Sequence, residues 1–414
     1  MKDHEGSTPG RARCRELANA AVEMTAEIID RFGPRVSGTE GNRAARDDLL
    51  GRLAEVCPTT RREAFRIHPD SLFAIGKVFT VAYLVGMTAA LVGTTILMAV
   101  ALSAMALGLV YFIAQFILYL SVFDPLFKGA EAENLVGVIE PEGQAERQVV
   151  LVGHHDSAPV YPFHERTAIL YPIRLFAPIL LYLACAAILA FRLATLATTG
   201  IDPGVDAWLE YVLAGGLLVV LPMFGFMSKR GSPGAADNLI GCAIALQVAK
   251  AVRGKLAGTR VIVLFTDGEE VGQKGAAAFA RMNDALLRGV PSRIINIETI
   301  CDYSELTIIE RDRNGFSAMS KETVEGLRTV AADLGLEFAV KPIPFLGGGT
   351  DAGQFARAGH DVACIVGMSV SAFRRDIVFH TSRDRPDRIS REAVGATIEL
   401  VREYIIRTYG TSRD

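Results

Sequence analysis

The sequence predicts an α/β protein: a three-layer sandwich with a mixed, mainly parallel central sheet and helices on both faces, plus four transmembrane helices in two inserted hairpins. Three observations predict it. Five short runs rich in Val and Ile, "AENLVGVIEP", "RQVVLVGHHDS", "TRVIVLFTDGEE", "SRIINIETIC" and "DVACIVGM", end in polar residues, as strands buried in a sheet do. Helical stretches alternate with them, the pattern that places helices over a central sheet. Two further stretches are nearly free of charge and long enough to cross a bilayer in pairs.

Each element follows in chain order. The opening "MKDHEGSTPGRARCREL" is polar and lacks the apolar segment of a signal peptide, so export is not expected. "RFGPRVSGTEGNRAARDDLLGRLAEV" reads as a turn-rich segment and then an amphipathic helix with Leu49, Leu50 and Leu53 on one face. From Val78 to Phe123 there is no Asp, Glu, Lys, Arg or His. At about 20 residues per span this run is two helices, the first starting near Leu72, with a turn at Gly93, Thr94 and Thr95. A second pair is expected at Leu175–Phe191 and Tyr211–Ser228, joined by "TTGIDPGVDAW" and interrupted by Pro178 and Pro222. Further helices are expected at Asn238–Arg253, Lys274–Arg281, Lys321–Leu334 and Arg391–Tyr409, the last capped by Asp387. The domains are then a discontinuous hydrophilic one, 1–72, 124–166 and 229–414, and two hairpins, 73–123 and 167–228.

Composition narrows the function. The chain has 414 residues and a formal net charge of −3, so no strongly acidic or basic partner is implied and nucleic acid is not expected. The clusters "KAVRGK" and "FRR" are short enough to be solvated faces. Six cysteines form no CxxC pair, in keeping with a reducing compartment. Lys77, Lys128, Arg174, Lys229 and Arg230 flank the outer ends of the hairpins, while the connecting turns hold Arg192 against Asp202, Asp206 and Glu210. By the positive-inside rule this is a multi-pass membrane protein whose hydrophilic domain faces the cytoplasm and whose hairpins contact the lipid bilayer. No pattern fixes an oligomeric state.

The reactive residue types collect at strand ends. In "GHHDS", His154 and Asp156 are two apart and point to one side of a strand, so the aspartate is placed to orient the imidazole. "GSPGAADNLIGCAIALQ" puts Asp237 just ahead of a helix, where it serves either as an N-cap or as a carboxylate that bridges two cations. "FTDGEEVGQKG" brings Asp267, Glu269 and Glu270 to the end of an apolar run, which is costly unless a positive charge stands among them. "INIETIC" buries Glu298 in a strand, "GGGTDAGQF" presents Asp351 after a flexible run, and "FHTSRDRPDRIS" supplies His380. Each alone is ordinary; order and position join them.

Taken together, "GPRVSGTEGN", "NLVGVIE", "LVGHHDS", "GAADN", "FTDGEEVGQKGA", "TDAGQF" and "FHTSRDRPDRI" resemble the aminopeptidase Y and glutamate carboxypeptidase family of di-zinc exopeptidases, a group of clan MH metallopeptidases. The resemblance covers most of the hydrophilic chain. It implies the zinc-aminopeptidase fold and two zinc ions, with ligands His154, Asp237, Glu270 and His380 and with Asp237 bridging. It also implies Glu269 as general base and Asp156 behind His154. The remaining ligand is usually Asp in that family, and its place here holds Glu298. A second departure is the long separation of His154 and Asp237, which the second hairpin fills. Two spans per hairpin return the chain to the side it left, so one domain can be assembled from three pieces on one membrane face.

The expected function is therefore a membrane-anchored zinc metallopeptidase of aminopeptidase type that hydrolyses peptide substrates. Arg374 or Arg375, in "MSVSAFRRDIVFH", and Asp351 are candidates for binding substrate; a solvated loop is the alternative for the arginines. Two other functions remain: a glutaminyl-cyclase-like enzyme with one zinc, and an inactive receptor or scaffold relative.

Overall fold

The computed structural model describes residues 9–166, 170–370 and 378–410. The chain divides into two compact units: Met1–Pro69, Gly129–Val160 and Arg230–Asp414 make an α/β unit, and Asp70–Lys128 with Tyr161–Lys229 make an apolar one.

In the α/β unit the described strands are β1 (Thr59–Ile67), β2 (Ala130–Ile139), β3 (Arg147–His154), β4 (Thr259–Thr266), β5 (Ser292–Ile300), β6 (Thr307–Asp312), β7 (Ser317–Ala318), β8 (Ala339–Pro342) and β9 (Asp361–Gly367). They form one sheet in the order β1-β2-β4-β3-β5-β9-β6-β7, with β8 also on β6. Its centre, β4-β3-β5-β9, is parallel, so the polar ends of β3, β4 and β5 come out at one edge. The expectation of a mixed, mainly parallel sheet holds for that centre and for the β6–β8 pair. β1, β2, β6 and β7 bring antiparallel pairs, and β6 and β7 are joined by a turn too short for a crossover.

Helix Ile240–Val252 is buried along nearly its whole length, with Lys250 exposed in its last turn, and lies against β3, β4 and β5, covered in turn by helices Pro9–Phe32 and Arg391–Tyr409. Lys274–Met282 and Asp351–Arg357 pack together and on the sheet as a second layer. Three corrections to the sequence reading arise. Pro9–Phe32 is a helix that the polar N-terminus concealed. The last helix is capped by Ser390, whose hydroxyl accepts the Ala393 N–H, while Asp387 sits in a separate short turn. Asp237 does not cap Ile240–Val252; it precedes it by a turn and faces elsewhere.

The chain leaves and re-enters the α/β unit through antiparallel neighbours: Ile67 pairs with Ala130, and Pro159 with Gly231.

In the apolar unit, Pro69–Val92 and Thr95–Ile117 form a hairpin that turns at Gly93 and Thr94. Tyr171–Thr199 is longer than the expected Leu175–Phe191, and Arg192 lies within this helix instead of in the turn. Its guanidinium is buried and pairs with Asp202, at 2.9 Å from Nε to Oδ1, which lets the helix continue past a charge. The next helix starts at Ala207 and breaks at Gly216, where a Cβ would stand 2.4 Å from the Tyr83 hydroxyl, and continues as short turns to Gly225. Phe79 stacks on Tyr182 with ring centroids 4.3 Å apart, and the Tyr83 hydroxyl donates to the Leu213 carbonyl at 2.8 Å. Ile96, Leu107, Leu180 and Leu218 point outward, exposed.

Candidate metal centre

The five sequence-predicted ligands, with Asp156 and Glu269, converge at the polar edge of β3 and β5. His154 ends β3. Its Nδ1 lies 3.1 Å from the Asp156 carbonyl oxygen and 3.4 Å from Asp156 Oδ1. A carbonyl only accepts, so Nδ1 carries a proton, and Nε2 faces the site either with a second proton, which burial opposes but Glu298, Asp156 and Asp237 favour, or with a lone pair for a cation. That nitrogen stands 3.3 Å from Asp237 Oδ1 and 3.3 Å from Glu298 Oε1. On the other side His380 Nε2 stands 3.2 Å from Asp237 Oδ2 and 3.2 Å from Glu270 Oε2. Asp237 thus turns one oxygen toward each histidine.

These spacings test the fit to zinc. A neutral imidazole lone pair aimed at two carboxylate oxygens is repulsive unless a cation or a proton stands between them. Four ligands at about 2.0 Å in a tetrahedron lie about 3.3 Å apart. The donor atoms have that spacing, longer than the roughly 2.8 Å of a charge-assisted hydrogen bond. Glu270 Oε1 and Glu298 Oε2 are buried with no hydrogen-bond partner among the described residues. The donor set, two nitrogens and carboxylate oxygens in two groups that share Asp237, fits a pair of zinc ions.

The electrostatics agree. Burial works against a charged His380, but Glu270 and Asp237 override it and raise its pKa to about 9. Burial raises Glu270 to about 7, with Asp237 adding to it and His380 opposing. Protons and metal therefore compete for the same atoms. Glu269 has its Oε2 4.0 Å from His154 Nε2, and its pKa is pushed far above the carboxylate range by burial first and then by Glu298, Glu270 and Asp351.

Asp156 does more than stand behind His154. Its Oδ1 accepts the Glu269 N–H at 3.3 Å and its Oδ2 the Glu270 N–H at 3.1 Å, so one carboxylate sets the position of both glutamates. Burial opposes its charge, but the bonds to His154 and Ser37 and the neighbouring imidazoles lower its pKa.

Sequence reasoning missed the supports. Asp267, the remaining acid of "FTDGEE", meets Arg46 at 2.9 Å and Asn42 at 3.1 Å instead of a metal. The Ser37 hydroxyl lies 2.8 Å from both Asp156 and Asp267 and joins the two. Asn42 and Arg46 stand at helical i, i+4 spacing and are both buried although polar, which nothing in the local sequence announces. Asp384 accepts the Ala236 N–H at 2.7 Å and the Asp237 N–H at 3.2 Å, and burial raises its pKa to about 7. Arg35 is fully buried and donates to the carbonyls of His155, Pro233 and Gly234, which ties the loop after β3 to the loop that carries Asp237.

Asp351, expected to meet substrate, is buried at a helix start, where it accepts from the Thr266 hydroxyl; burial raises its pKa to about 7. Arg374 and Arg375 lie outside the described residues.

Comparison with known proteins places this geometry. Residues 223–405 match the sequence profile of Peptidase family M28. No curated protein matches the chain. Among solved structures, BSAP, a zinc aminopeptidase from Bacillus subtilis, is similar at 12% identity and TM-score 0.57, over 96% of each chain. A Zn-dependent exopeptidase from Parabacteroides distasonis shares 15% identity at TM-score 0.54, over 94% of this chain and 97% of that one. A glutaminyl cyclase from Bacteroides thetaiotaomicron shares 14% identity at TM-score 0.55, over 94% of this chain and 97% of that one. The fold is that of zinc aminopeptidases, and the stretch that matches the profile of Peptidase family M28 holds Asp237, Glu269, Glu270, Glu298 and His380.

Proposed function

We propose that this protein is a membrane-anchored, zinc-dependent exopeptidase of aminopeptidase type. The observation that carries the proposal is Asp237, whose two oxygens each face a histidine that also faces a glutamate. His154, Asp237 and Glu298 would hold one zinc, and Asp237, Glu270 and His380 the other. Bound there, zinc supplies a polarised scissile carbonyl and water acidified toward neutral pH. Glu269 would hold the proton of the attacking water and return it to the leaving amine. Burial and acidic neighbours raise its affinity for a proton, which strengthens it as an acceptor once it stands ionised beside bound cations. Asp156 keeps Glu269 and Glu270 in register through their amides.

The membrane anchor draws support from four apolar helices of spanning length with outward Val, Leu and Ile side chains. Trp208 and Tyr211, both exposed at the start of the fourth, suit the lipid–water boundary. Basic residues at the outer ends of the hairpins favour a cytoplasmic α/β unit.

A single-zinc glutaminyl-cyclase-like enzyme is the second reading, favoured by Glu298 at the His154 side and by the cyclases among similar folds. A screen of detergent-solubilised protein against aminoacyl and dipeptide amides and against N-terminal glutamine peptides, with and without chelator, separates the two. Chelator-sensitive release of N-terminal residues supports the exopeptidase. Cyclisation of glutamine without hydrolysis overturns it, and so does the absence of any turnover.

A further inference from the structure

β5 departs from regular pairing with β9 between Glu298 and Ile300, and the residue within that bulge is Thr299. Its φ is +45°, a left-handed conformation that a β-branched side chain disfavours. Such a conformation persists only where the surroundings impose it, and clusters at functional sites. The imposing group is Asn238, the neighbour of Asp237. Its Nδ2 donates to the Ile297 carbonyl at 2.8 Å, and its Oδ1 accepts the Thr299 N–H at 3.1 Å. Gly241 allows this approach, since a Cβ there would lie 2.4 Å from the Ile297 oxygen and 2.5 Å from Asn238 Oδ1.

The result of the bulge is the position of one hydroxyl. Thr299 Oγ1 lies 3.0 Å from Glu298 Oε1 and 3.3 Å from Asp237 Oδ1, the same two oxygens that stand 3.3 Å from His154 Nε2. We propose that Thr299 is a positioning residue for metal capture, whose hydroxyl holds the Glu298 and Asp237 carboxylates at the spacing that a zinc ion on the His154 side requires. A glutamate has more rotamer freedom to lose than a shorter acid, and its second oxygen, Oε2, has no hydrogen-bond partner among the described residues. The hydroxyl proton, donated to Oε1, fixes that side chain and relieves repulsion between the two carboxylates before metal arrives. Groups of this kind, one bond behind the ligands, tune affinity by about 10- to 100-fold.

The inference rests on the two-zinc reading of the site, and a set of three variants tests it. T299V keeps the branched shape and removes the hydroxyl. T299G removes the hydroxyl and relaxes the backbone, since glycine accepts positive φ freely. T299S keeps the hydroxyl. Zinc affinity is measured on the full-length chain by competition with a chromogenic chelator, and folding by thermal unfolding. The expected result is a second zinc bound about 10- to 100-fold more weakly in both T299V and T299G. T299S should stay within about threefold of wild type, since it retains the donor. Wild-type affinity in T299G, or T299S as weak as T299V, overturns the role of the hydroxyl while leaving the two-zinc reading intact. A wild-type chain that holds only one zinc overturns both.

Discussion

Two apolar helical segments of this protein, Thr95–Ile117 and Ala235–Val252, are long enough to cross a membrane, with mean hydropathy of 2.4 and 1.3, yet 33% of an 18-residue stretch of the first and 94% of the second are buried within the structure. The difference lies in what surrounds them. Ala235–Val252 has the sheet on one side and Pro9–Phe32 and Arg391–Tyr409 on the others, so every face finds an apolar partner. Thr95–Ile117 has only its fellow helices, and Ile96, Val100, Leu107 and Val110 remain outside. In water such exposure costs about 25 cal/mol for each Å²; in lipid it costs nothing. The more apolar segment is the exposed one, which suits a surface that faces lipid, and the less apolar one owes its burial to the company of a sheet. The sheet that covers Ile240–Val252 also ends at the candidate metal centre.

The sharpest way to break this comparison is a charge on each helix. Ile244, fully buried, should not tolerate aspartate. Ile244→Asp is expected to cost several kcal/mol through an unpaired buried carboxylate, roughly enough to unfold the α/β unit. Loss of the cooperative thermal transition would register it, and an unchanged transition would place Ile240–Val252 outside the core. Next in size is chemistry. Glu269→Gln preserves shape and should keep both zinc ions, but kcat should fall by at least about 100-fold. Near-normal turnover in the zinc-replete variant would remove Glu269 from its role.

The third effect is the pH dependence of zinc binding. His380, raised to about 9, must lose a proton to bind metal, and Glu270, raised to about 7, must do so as well below neutrality. Protons therefore displace zinc as pH falls, and affinity should drop by at least about tenfold from pH 8 to pH 6. Chelator competition at the two values checks it; affinity that rises toward acid pH would contradict the assignment. The smallest effect belongs to the apolar unit. Leu107 is 61% exposed, and Leu107→Ala should change stability in detergent by no more than about 0.5 kcal/mol. A loss of several kcal/mol would mean that this face is covered by protein.

Much of the centre was legible because ligands sit where regular elements end. His154 ends β3, Glu269 and Glu270 follow β4 and Asp237 precedes Ile240–Val252, elements that periodicity reveals, while Glu298 lies within β5 and His380 in a turn, and the resemblance of the surrounding motifs pointed to both. The supports were not legible. Ser37, Asn42 and Arg46 reach Asp267 across more than two hundred residues of sequence, and no local pattern announces such a contact. Helix Pro9–Phe32 was hidden because its buried face includes Cys14, Ala18, Ala21 and Thr25, small residues that carry little hydrophobic weight. Arg192 ended the expected span because a charge is costly in lipid, and its partner Asp202 lies beyond the helix end.

The central claim is that two cations belong among these carboxylates, and the zinc content of the purified wild-type chain tests it most directly. Elemental mass spectrometry of protein prepared without chelator and dialysed against metal-free buffer at pH 8 should find two zinc ions per chain. One zinc that does not rise on titration, or none, would contradict the account.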